Sequence, residues 1–154
     1  VNVYLTDEQD REVDTTSLHS FATRVLEAEG LPADTELAVM LVGSEQMAEY
    51  NKRFMDRTGP TDVLAFPLED LEPGAPPRRL PGEPPLALGD VFLCPPEIAD
   101  RARREGFVFD DFLHLLLAHG ILHLLGYDHE DDEKAELMER REDELLGMIG
   151  RKLS

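Results

Sequence analysis

At 154 residues the chain is the size of one domain, and an apolar content of 42% supplies a hydrophobic core, which excludes a disordered tail and a collagen-like fibre. Fifteen Lys and Arg against 33 Asp and Glu give a formal charge of −18. This balance opposes nonspecific coating of nucleic acid without excluding a confined RNA site. The single cysteine, Cys94, excludes an intrachain disulfide and points to a reducing, cytoplasmic setting.

No basic-then-apolar leader opens the sequence, so no secretory signal is expected. The longest apolar stretch, Phe112 to Leu125, is interrupted by histidines and is shorter than the ~20 residues of a membrane helix; no membrane partner is expected.

Val3 to Leu5 reads as a short opening strand. After the cluster Asp14-Thr15-Thr16-Ser17, a capping signal, Leu18, Phe21, Ala22, Val25 and Leu26 recur at helical spacing until Gly30 and Pro32. Leu37 to Val42 is a continuous apolar run of strand length. Gly43 ends it, and Ser44 is the expected N-cap of a helix carrying Met47, Tyr50 and Phe54. Thr61 to Phe66 reads as a third strand, ended by Pro67.

From Leu71 to Pro85 six prolines predict an irregular surface loop, with neither flank large enough for a domain of its own. Leu86 to Leu93 follows as the fourth strand. Pro95 and Pro96 suit the first turn of a helix towards Gly106, where no backbone donor is needed. Asp110 or Asp111 is expected to cap the next helix, Phe112 to about Leu125, which is apolar almost all round and therefore central. A last helix, about Asp131 to Ile149, is expected to turn Leu137, Met138, Leu145 and Leu146 inward. The order β-α-β-α-β-β-α-α-α predicts a single α+β domain over 1–154, with a small mixed four-stranded sheet packed against about five helices.

Charge is unevenly spread. Glu130 to Glu144 holds nine acids and three bases. Lys52, Arg53 and Arg57, then Arg78 and Arg79, then Arg101, Arg103 and Arg104 form basic groups that leave room for a local positive face, or for ordinary solvated side chains.

Chemistry concentrates in the string HGILHLLGYDH. His119 and His123 are four residues apart, on one face of the predicted helix. Gly126 lets the chain leave the helix by a left-handed turn, which can return His129 over the same face. Three converging imidazoles are a donor set for one tetrahedral zinc ion with its fourth position open, as in catalytic sites. Histidines bonded only to backbone would each need a separate partner, at about 1–3 kcal/mol if unpaired. Nickel, copper or cobalt would also suit such a set.

The spacing is that of the zinc-peptidase pattern H-E-x-x-H-x-x-G-x-x-H, but Gly120 stands where the peptidase's general-base glutamate belongs. Proteolysis is therefore disfavoured against other hydrolytic chemistry. Asp128 reads either as a proton acceptor or as a turn residue bonding its own backbone. Asp62 and Asp90 read either as carboxylates orienting the histidines or as loop ties. His114, about 140° round the helix from His119, is expected off the metal face. His19 shows no partner.

The histidine string, with GPTDVLAFP (Gly59 to Pro67) and LGDVFLC (Leu88 to Cys94), resembles the YbeY family of bacterial endoribonucleases, from roughly Glu36 to the end. The resemblance implies a metal-dependent hydrolase of single-stranded RNA, with His119, His123 and His129 as ligands. It also implies 3′-end processing of small-subunit ribosomal RNA, ribosome quality control, and ribosomal rather than DNA partners. Many members carry an arginine where this chain has Met55, and a serine where it has Ala65. Arg53 and Arg57 flank the first position, and Arg57 joins Asp128 as a candidate catalytic residue. Two other functions fit the residues: a ribosome-associated binding module with structural zinc, and a non-peptidase amide hydrolase.

Overall fold

A computed structural model describes residues 1–75, 77 and 79–153. Four strands and five helices follow the predicted order: β1 (Asn2–Glu8), α1 (Thr15–Ala28), β2 (Glu36–Val42), α2 (Ser44–Met55), β3 (Val63–Pro67), β4 (Ala87–Leu93), α3 (Pro95–Glu105), α4 (Phe109–Leu124) and α5 (Asp132–Gly147). The architecture is α+β, and the sheet order is β1-β2-β4-β3. β1, β2 and β4 run parallel, and β3 pairs antiparallel to β4 as an edge strand, which makes the sheet mixed.

Both faces of the sheet are covered, which is why β2 is an unbroken apolar run. Leu37, Val39 and Leu41 join the main core with α1 and α4, whereas Met40 and Val42 face a second cluster with Met47 and Tyr50 of α2. β3 alternates likewise: Val63 and Ala65 face the main core, Leu64 and Phe66 the α2 side. α4 is buried along most of its length between the sheet and the other helices, as its composition demands.

Several local expectations are corrected. Gly43, not Ser44, caps α2, and the Ser44 hydroxyl bonds Glu97 instead, at 2.7 Å. α4 begins at Phe109 with Val108 as N-cap, so Asp110 and Asp111 sit in its first turn, where Arg151 pairs with both at 2.7 and 2.8 Å. Leu137 is 46% exposed, not inward-facing; the buried stripe of α5 is Met138, Glu142, Leu145 and Leu146. β1 is longer than predicted, while β3 and β4 begin two and one residues later than the predicted strands. His19 does have a partner: its Nε2–H donates to the Val3 carbonyl at 2.8 Å.

Between β3 and β4, the described residues of the proline-rich segment form only an isolated bridge, Glu72 to Ala75. Arg79 anchors this segment through Asp34 at 2.8 Å and Glu83 at 3.0 Å. Pro76 and Arg78 lie outside the described residues. Among the described residues, no single helix is long and apolar enough to cross a membrane.

Candidate metal centre

The C-terminal end of α4 builds the site. After the Leu125 cap, the chain closes a turn in which Gly126 N–H donates to the His123 carbonyl at 3.1 Å and Tyr127 N–H to the Leu122 carbonyl at 3.0 Å. This pairing needs a left-handed residue at its centre, and Gly126 has φ +97°. The reversal carries His129 back over His119 and His123.

The three rings gather as the spacing predicts. Ring centroids lie 4.6 Å apart for His119–His123, 5.3 Å for His123–His129 and 5.9 Å for His119–His129. One ligand atom from each lies within 4.8 Å of the others, and the Nε2 atoms of His119 and His123 are 3.1 Å apart. A tetrahedral zinc with Zn–N of about 2.0–2.1 Å holds its donors roughly 3.3 Å apart, so the cluster can hold a metal ion.

Protonation favours the same use. Burial, reinforced by the neighbouring His119 and His123–His129 repulsion, lowers the pKa of His123 to about 4, leaving its ring neutral near pH 7. His119 is set from behind: its Nδ1 lies 2.6 Å from a carboxylate oxygen of Glu142. A carboxylate only accepts, so Nδ1–H donates, and Nε2 is the ring nitrogen turned towards His123.

The cluster opens into a cleft of ≈ 380 Å³ between the end of α2, strand β3 and α4. Asn51, Met55, Arg57 and Thr61 line one side, Val63 and Ala65 another. Asn51 is 5% exposed and donates through Nδ2 to the Gly59 carbonyl at 2.8 Å, pinning the loop that carries Arg57 and Thr61. Ala65 lies in this lining and brings no hydroxyl.

Gly120 also lies in the lining, and its role is steric. A Cβ there would come within 2.7 Å of Val91 Cγ1, a buried, branched side chain on β4. Close packing of helix on sheet thus opposes any side chain at this position, glutamate included.

The other candidates separate. Asp128 Oδ1 accepts from the Glu130 N–H at 3.2 Å, the turn-residue alternative, and is not part of the three-histidine donor group. Asp62 pairs with Arg101 at 2.6 Å and, among the described residues, forms no hydrogen bond to a histidine, a tie between the β3 approach and α3. Asp90 lies on β4, paired in register with Phe66, and forms no side-chain hydrogen bond among the described residues. His114 is fully buried off the metal face: Nδ1–H donates to the Asp110 carbonyl at 2.7 Å, so Nε2 accepts from the Ser17 hydroxyl at 2.9 Å.

Most of the basic groups are neutralised. Arg101 is held by Asp62, Arg103 and Arg104 by Asp100, and Lys52 by Asp56. Arg53 lies over the Phe54 ring at 5.9 Å and is not in the cleft lining. Arg57, exposed and with no ion pair among the described residues, is the cation that lines the cleft.

Glu142 and Asn51 escaped the sequence reading. A signal for Glu142 exists: it is an acid on the Met138–Glu142–Leu145 stripe of α5, where an apolar residue is expected. Asn51 carries no comparable mark.

Fold and site together define a single-domain α+β protein with a solvent-open three-histidine centre on its central helix. The chain belongs to the YbeY family: the family model described as "Endoribonuclease YbeY" matches residues 4–150. This extends the similarity past Glu36 to almost the whole chain. A Thermobifida fusca protein named Endoribonuclease YbeY is 42% identical over 148 residues, covering 96% of this chain and 94% of its own. One of the same name from Kineococcus radiotolerans is 43% identical over 144 residues, covering 93% and 82%. The solution structure of a Thermotoga maritima protein superposes with a TM-score of 0.61 at 25% identity, covering 96% and 91% of the two chains.

Proposed function

We propose that this chain is a zinc-dependent, single-strand-specific endoribonuclease that acts in the cytoplasm on the 3′ end of small-subunit ribosomal RNA and in ribosome quality control. The observation that carries the proposal is the convergence of His119, His123 and His129 in the lining of a cleft whose cation is Arg57. The name of the family and of its relatives supplies the RNA substrate.

His119, His123 and His129 would hold the ion, which when bound supplies Lewis-acid activation of water and of a phosphoryl oxygen. The residues of the chain do the rest. The low pKa of His123 keeps its ring neutral at neutral pH, and Asn51 fixes the loop presenting Arg57. Arg57 binds a backbone phosphate beside the histidines, at the edge where Met55 replaces the usual family arginine. A surface of net charge −18 repels RNA elsewhere, which confines binding to this cleft. A purely structural ion would take a fourth side-chain donor, and Asp128 is committed to its own turn.

Purified protein given a single-stranded ribosomal precursor should cleave it, stop when a chelator strips the metal, and resume on adding zinc; cleavage indifferent to chelation would refute the proposal. Arg57→Ala should lower kcat/KM by roughly 10- to 100-fold, the loss of about 1.5–3 kcal/mol from a charge-assisted phosphate contact. Arg53→Ala should stay within about fivefold, since rim charges away from the contact contribute ~0–1 kcal/mol. Equal losses for the two would remove Arg57 from its proposed role.

A further inference from the structure

α5 buries one stripe of its surface, made of Met138, Leu145, Leu146 and, between them, Glu142, which is 7% exposed. A carboxylate among apolar side chains is a poor choice for packing alone, because its charge is desolvated. Among the described residues its one hydrogen-bond partner is His119 Nδ1, at 2.6 Å and 23 residues earlier in the chain. His119 stands between two recesses: the metal cleft on one side, and on the other a space lined by Asp62, Arg101, Phe112 and Glu142.

We propose that Glu142 is a positioning residue, placed on α5 to lock His119 in the Nδ1–H tautomer and orient its ring towards the metal. The proposal rests on the metal-dependent function above. Free imidazole favours the opposite tautomer, with the proton on Nε2, which would block the lone pair needed by the ion. A carboxylate behind Nδ1 reverses that preference and leaves Nε2 free to face the ion. Docking of α5 thereby becomes part of assembling the centre.

The test compares wild type, Glu142→Gln and Glu142→Leu in three measurements: the His119 tautomer from long-range ¹H–¹⁵N spectra of metal-free protein, zinc affinity by competition titration, and thermal unfolding without metal. Glu142→Leu should shift His119 towards the Nε2–H form and weaken zinc binding by about 10–100-fold. Its metal-free unfolding midpoint should not fall, because leucine suits the stripe. Glu142→Gln keeps an acceptor oxygen, so it should retain the tautomer and lose less affinity.

Unchanged tautomer and unchanged zinc affinity in Glu142→Leu would overturn the proposal, as would lowered thermal stability with unchanged affinity. A wild type that takes up no zinc, while its His119 tautomer still depends on Glu142, would sink the metal-dependent function and support Glu142's hold on the ring.

Discussion

Replacing His119 and His123 together by alanine should leave a folded protein that retains no zinc and cleaves RNA at least ~10³-fold more slowly, since Lewis-acid stabilisation contributes several kcal/mol. The fold should survive because both side chains border the open cleft and are only half-buried, while the packed face of α4 consists of other residues. His129, exposed and beyond the turn, offers one donor and cannot hold the ion alone. Loss of His119 also strands Glu142, whose charge then lacks its partner; some loss of stability at neutral pH is expected from that source. Metal content by mass spectrometry, far-UV circular dichroism and cleavage of a single-stranded precursor check the three parts separately. Undiminished cleavage by a metal-free, folded double variant would end the metal-hydrolase assignment.

Gly126→Ala should be the most damaging single methyl addition near the site, destabilising the protein by about 2–5 kcal/mol. Two costs add. A non-glycine residue in the left-handed region costs roughly 1–2 kcal/mol. Overpacking costs typically 1–3 kcal/mol more. Here the added carbon would sit 2.0 Å from the Leu71 carbonyl oxygen, a backbone atom that cannot rotate aside. Relief requires moving either the 71–75 segment or the turn, and His129 follows three residues after Gly126. Zinc affinity should therefore fall with stability, a coupling that urea titrations with and without zinc would measure. A variant within 0.5 kcal/mol of wild type, the usual range of a neutral surface change, would show that the turn tolerates what its geometry forbids.

Much of the fold was legible because it is local. The apolar spacing of α1 names the same five residues that the structure buries, Leu18, Phe21, Ala22, Val25 and Leu26. The Asp14 cap bonds the Ser17 N–H at 3.0 Å as its position suggests. Boundaries were less legible where a distant partner intervenes. Asp110 and Asp111 look like caps, yet they answer to Arg151 from the other end of the sequence. Asp62 reads equally as a carboxylate for the histidines or as a loop tie, and only its pairing with Arg101, 39 residues later, decides for the tie. Leu137 sits one position off the buried stripe of α5, where 100° of rotation is enough to expose it.

The sequence by itself determined the element order, the central placement of the histidine helix and the convergence of its three rings. Each of these depends on neighbours within about three helical turns, and periodicity, a glycine stop and a four-residue spacing encode such contacts directly. Only the tertiary structure decided which acid supports His119, which arginine reaches the cleft, and that Gly120 and Gly126 are held by Val91 and by the Leu71 backbone. Those pairings join segments whose separation along the chain carries no record of their distance in space. They exist because α4 packs against the sheet and α5 against α4, and burial selects among the possible partners only once these surfaces meet.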